Sequence, residues 1–166
     1  MGARSNIVIQ DGEHRVWLYG HWMSCQAIEH AATGLRSDRF DDPQYLATVV
    51  FQSMLRSEGA EGWGYGISAQ RYDNQFPILI IDSRSRWSTG TDRGRADVWF
   101  EDSDGIRTTA VFDREEFLAI ADTIPLFRPA WSEPGDHVCG YGFFTARPRG
   151  ARRALATPRS AQIQDT

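Results

Sequence analysis

Ser5-Asn6-Ile7-Val8-Ile9-Gln10-Asp11-Gly12-Glu13-His14-Arg15-Val16-Trp17-Leu18-Tyr19-Gly20 reads as two strands and a turn. Ile7 and Ile9 fall on one side of the first strand, Ser5 to Asp11. Val16 and Leu18 fall on one side of the second, His14 to Gly20, with Trp17 and Tyr19 on the other. Between them Asp11-Gly12 is expected at the centre of a tight hairpin turn, where both positions need φ > 0. The chain therefore opens with antiparallel pairing.

Helical spacing comes next. Ser24 is placed to cap a helix running to about Leu35, with Ile28, Ala31, Ala32 and Leu35 as the buried stripe and Gln26, Glu29, His30 and Thr33 facing away. Asp42-Pro43 opens a second helix: Asp caps it, and Pro sits in the first turn, where its missing N–H costs nothing. Leu46, Val49, Val50, Ser53 and Met54 repeat on one face, and Gly59 is a natural stop. From Gly62 the period becomes two. Tyr65, Ile67 and Ala69 alternate with small or polar residues, and Arg71 to Gln75 is a polar turn. Phe76 to Ile81 is continuously apolar, as in a strand covered on both faces, and Asp82 closes it. Ala96, Val98 and Phe100 alternate, Ser103-Asp104-Gly105 turns the chain, and Ile106, Thr108, Ala110 and Phe112 alternate on the return. Asp113 with Glu116 fits a capping box for a helix that ends before Pro125. A last strand is expected around Val138 to Thr145.

The order ββ-αα-ββββ-α-β predicts an α+β domain over residues 2–146: a mainly antiparallel sheet with helices packed on it, or a two-sheet sandwich. After Ala146 the composition is Arg, Pro, Ala, Ser and Gln with almost nothing to bury, so 147–166 is expected as a disordered arginine-rich tail. All 18 cationic side chains are Arg, which removes lysine-based Schiff-base and phosphate chemistry. The net charge of −4 hides an asymmetry. The tail carries Arg147, Arg149, Arg152, Arg153 and Arg159 against Asp165 alone, so the body is acidic. An acidic body does not attract a nucleic-acid backbone, and only the tail offers such contacts. No run approaches eighteen apolar residues, which argues against a membrane span. The start lacks an apolar secretory segment, and the two cysteines, Cys25 and Cys139, are expected as reduced thiols of a cytoplasmic protein.

Four stretches carry a resemblance: Gly2-Ala3-Arg4-Ser5-Asn6-Ile7-Val8, Leu18-Tyr19-Gly20-His21-Trp22, Asp42-Pro43-Gln44-Tyr45-Leu46-Ala47 and Gly64-Tyr65-Gly66-Ile67-Ser68. In that order, over roughly residues 2–88, the chain resembles a family of short uncharacterised proteins of bacteriophages and actinobacterial genomes that begin Met-Gly-Ala-Arg. The resemblance implies a phage or prophage origin and assigns no catalytic residue. It suggests an accessory protein that binds a host component, with blunting of an antiviral system as one use.

The candidate binding residues are His21, Trp22, Trp63, Tyr65 and Asp82. Tyr19-Gly20-His21-Trp22 stands where strand hands over to helix, a place that often carries function. There His21 could donate to an anion and Trp22 stack on a flat ligand; or Trp22 plugs the core edge and His21 bonds a loop carbonyl. Gly62-Trp63-Gly64-Tyr65-Gly66 precedes a strand, so it has no helix N-terminus with which to hold a phosphate. It reads as close strand packing under rings, or as one wall of a ligand groove. Asp82 is either a metal ligand or base at a strand end, or the start of a turn. No metal and no cofactor is expected. Cys25 and His30 lie about 140° apart on an ideal helix, and no standard zinc spacing links His21, Cys25, His30, His137 and Cys139. The element order is also similar to that of N-terminal-nucleophile hydrolases, but Met removal would expose Gly2, which has no nucleophile. No Gly-x-Ser-x-Gly elbow is present. Three readings follow: a non-catalytic binder of a host protein or small ligand; a small hydrolase or nucleotide-processing enzyme using His21 and Asp82 in one cleft; and a virion-associated structural protein.

Overall fold

A computed structural model describes residues 4–21, 23, 26–58, 64–72, 74–84, 94–124 and 144. The opening hairpin is β1 (Ser5–Asp11) and β2 (His14–Gly20). Its turn is one residue later than expected. Asp11 still pairs with His14, so the central residues are Gly12 and Glu13. Gly12 takes φ +62°, which a side chain would resist. Helix α1 (Gln26–Leu35) and helix α2 (Pro43–Glu58) follow. Asp42 caps α2 by accepting the Tyr45 N–H at 3.2 Å, as Asp-Pro implies.

Among the described residues, strands β3 (Tyr65–Ser68), β4 (Ile78–Arg84), β5 (Arg95–Glu101) and the two-residue β6 (Phe112–Asp113) join them in one six-stranded sheet, ordered β3-β2-β1-β4-β5-β6. Every pairing is antiparallel except the central one, where β1 runs parallel to β4 with Ile7 beside Leu79. The fold is α+β, with a mixed, mostly antiparallel sheet. The described residues form a single sheet rather than a sandwich. Two expectations need correction here. Asp82 and Ser83 do not begin a turn; they stay in the ladder opposite Asp97 and Ala96. The return from Gly105 is not a regular strand, since only a Glu101–Arg107 bridge and β6 pair with β5. Thr108 and Thr109 explain this: Thr108 N–H donates to Phe100 O and the Thr109 hydroxyl accepts the Phe100 N–H, so a side chain takes the place of one ladder carbonyl.

Helix α3 (Arg114–Ala121) begins with the expected capping box between Asp113 and Glu116. Among the described residues, helices α1, α2 and α3 pack on one sheet face. There Ile7, Ile9, Leu18, Leu79, Ile81, Val98 and Phe100 meet Ile28, Leu35, Leu46, Val50, Met54 and Phe117. Each fully buried aliphatic side chain contributes about 1.5–3 kcal/mol. Phe144 is also buried here, its ring 5.1 to 5.4 Å from those of Phe117, Phe100 and Phe112. It is the one described residue of the expected last strand, and its backbone is helical; the rest of that stretch and the tail lie outside the described residues.

The second face carries a smaller cluster, Val8, Ile78 and Ile80, flanked by Trp17 and Trp99. The β3–β4 connection crosses this face. Asn6 donates to Asn74 Oδ1 at 2.9 Å, Gln75 N–H donates to Arg4 O at 3.0 Å, and the Tyr72 ring lies 5.6 Å from that of Tyr19. Thus the apolar run in β4 is buried on both sides, as its composition requires.

Candidate functional site

One end of the sheet gathers the aromatic–glycine strings. Gly20, the last residue of β2, pairs with Tyr65, the first of β3. Just beyond, His21 N–H donates to Gly64 O at 2.7 Å. The two glycine-bearing segments are therefore joined by backbone, and close approach is built in. A Cβ on Gly20 would sit 2.8 Å from the Tyr65 ring and 2.5 Å from Met23 Cβ. His21 Nδ1 lies 3.1 Å from the Tyr19 hydroxyl. Tyr65 points to the helix side, half-buried against the core, with its hydroxyl 3.0 Å from Ser57 Oγ. His21 and Tyr65 thus share one end of the sheet. Trp22 and Trp63 lie outside the described residues, although their chain neighbours His21 and Gly64 are the bonded pair.

Asp82 is elsewhere. Gly20 pairs with Ser5 at the start of β1, whereas Asp82 pairs with Gln10 near its end. Five residues of strand rise separate the two levels, about 17 Å. His21 and Asp82 therefore stand toward opposite ends of the sheet, and the single cleft required by the hydrolase reading is not formed by them.

At its own end Asp82 belongs to a polar row on the second face. Gln10, Asp82 and Asp97 are neighbours in register on β1, β4 and β5, and Asp113 follows on β6. Arg84 donates to Asp82 Oδ2 through Nη2 at 2.8 Å and Nε at 3.1 Å. Arg95 approaches Asp97 only to 3.8 Å. Burial pushes the Asp97 carboxyl above its ordinary range; Asp82 and Asp113 push the same way, while Arg95 and Arg84 oppose. Asp113 is committed to its helix cap.

Sequence reasoning missed three residues. Gln10 and Asp97 looked like outward positions of half-buried strands; only the β1–β4 and β4–β5 registers bring them beside Asp82. His30, expected on the outer face of α1, is buried at 3% exposure because α1 is covered on more than one side. Its Nδ1 lies 3.0 Å from Ser53 Oγ on α2, and its ring meets Tyr65 edge-on at 6.4 Å. Desolvation lowers its pKa to about 4, so the ring is neutral at pH 7. A base that weak does little to activate Ser53.

Among the described residues no three His, Cys, Asp or Glu side chains form a metal-binding group, and no helix is long and apolar enough to cross a membrane. No protein-family model, curated protein or solved structure matches the chain.

Proposed function

We propose that this is a phage-encoded accessory protein that works in the host cytoplasm by binding a host protein, without catalysis, through the sheet end at His21 and Gly64. The observation that carries the reading is the His21 N–H to Gly64 O bond. It ties Tyr19-Gly20-His21-Trp22 to Trp63-Gly64-Tyr65-Gly66, so residues with donor and stacking chemistry arise from two adjoining chain segments. Rigid strands behind a short loop suit recognition, and Trp and Tyr are the residue types that most often anchor interfaces. The phage origin, the host and an anti-defence use rest on the resemblance of residues 2–88.

The separation of His21 from Asp82 weighs against the enzymatic reading, and no observation favours a virion role. The test is affinity capture from host cells expressing the full chain, the His21→Ala chain or the Trp63→Ala chain, with mass spectrometry. The reading expects one host protein retained by the parent and lost from both variants while their melting temperatures stay near the parent's. Equal recovery from all three, or turnover that depends on His21, would refute it.

A further inference from the structure

We propose that the row Gln10–Asp82–Asp97, on the second face of the sheet, is a site for one hard divalent cation. The carboxylates of Asp82 and Asp97 and the side-chain carbonyl of Gln10 would hold it, with water completing the shell. This site is independent of the binding end at His21.

The three side chains stand on adjacent strands, about 4.8 Å apart, and register puts them on the same face. Two acceptors of the row have no donor. Gln10 Oε1 and Asp82 Oδ1 are buried and have no hydrogen-bond partner among the described residues, in residues only 8% and 5% exposed. A buried acceptor left unpaired is costly. Asp82 and Asp97 are also directly opposed across β4 and β5, an arrangement of like charges that destabilises a sheet.

The neighbouring cations relieve this only in part. Arg84 engages Oδ2 of Asp82 and leaves Oδ1. Arg95 is too far from Asp97 for a hydrogen bond. Arg15, paired with Gln10 on β2, is exposed. One small cation would satisfy both orphaned oxygens and turn the Asp82–Asp97 repulsion into shared attraction. Carboxylates, side-chain amide carbonyls and water are the ligands that calcium takes, and magnesium keeps several of its own waters beside one or two carboxylates. The burial of the acceptors favours a small ion over a bulkier organic amine.

Trp17 and Trp99 lie on this face, and Trp99 stands two residues along β5 from Asp97. They supply the readout. Chelator-treated full-length protein should sensitise terbium luminescence to saturation at one ion per chain, and calcium or magnesium should displace it. Asp97→Asn should weaken terbium binding by about tenfold or more, and in chelator it should melt no lower than the parent because a repulsion is gone. Gln10→Glu should bind more tightly, melt lower in chelator and recover on adding calcium. Asp104→Asn, in an exposed turn, should titrate like the parent. Absence of a displaceable signal, or an unchanged titration in Asp97→Asn, would overturn the site. So would a lower melting temperature of Asp97→Asn in chelator. A Gln10–Asp82 hydrogen bond alone would give no signal and a Gln10→Glu chain that calcium does not rescue.

Discussion

His30 shows how one buried side chain sets a pH limit. Its folded pKa, about 4, lies below the ordinary value of 6.5. The unfolded chain takes up the proton first as pH falls. The stability associated with neutral His30 is therefore complete above pH 6.5 and is lost progressively down to about pH 4. The full effect is on the order of 3 kcal/mol. Urea melts across this window should show that loss, and His30→Leu should flatten it. At Asp42 the issue is a cap. Asp42→Ala should cost about 1 kcal/mol in urea denaturation, and Asp42→Ser should recover most of it. Both Asp residues that start helices, Asp42 and Asp113, were legible in the sequence, because capping depends on neighbours three residues away. His30 was not. Helical spacing gives the stripe facing one partner, and α1 has partners on further sides.

At the scale of elements, some features follow from local pattern and others only from strand register. The hairpin, both long helices and the capped third helix follow from spacing and turn residues. The ends of β4 did not, because Asp82 and Ser83 look like turn formers until a partner strand supplies their hydrogen bonds. Ser83 Oγ also donates to Phe40 O at 2.7 Å, a contact no local rule contains. The α1–α2 contact gives a sharp test. A Cβ at Gly34 would lie 2.4 Å from Val50 Cγ2 and 2.9 Å from Leu46 Cδ1. Alanine is favoured over glycine in a helix by about 1 kcal/mol, yet crowding a packed contact costs about 1–3 kcal/mol. Gly34→Ala should therefore lower the melting temperature despite its better propensity, and a rise would show that the helices can separate without penalty.

For the whole molecule, Phe144 closes the main core from far along the chain, between Phe100, Phe112 and Phe117. Phe144→Ala should cost about 3–5 kcal/mol, measurable by chemical denaturation, and should loosen α3 in hydrogen exchange before the β1–β2 hairpin. The fold class was legible because the element order alone points to α+β. The candidate site was legible only in pieces. His21, Tyr65 and Asp82 each stood out, but nothing local says that the first two share an end of the sheet and the third sits far from both.

The parallel seam at the centre has a kinetic consequence. Ile7 and Leu79 are neighbours in the sheet although β2, both long helices and β3 intervene between them along the chain. A ribosome releasing this chain exposes one unpaired edge of β1 until β4 emerges. Closing so long a loop is entropically slow, so the newborn amino-terminal half is where chaperone dependence and premature self-association should concentrate.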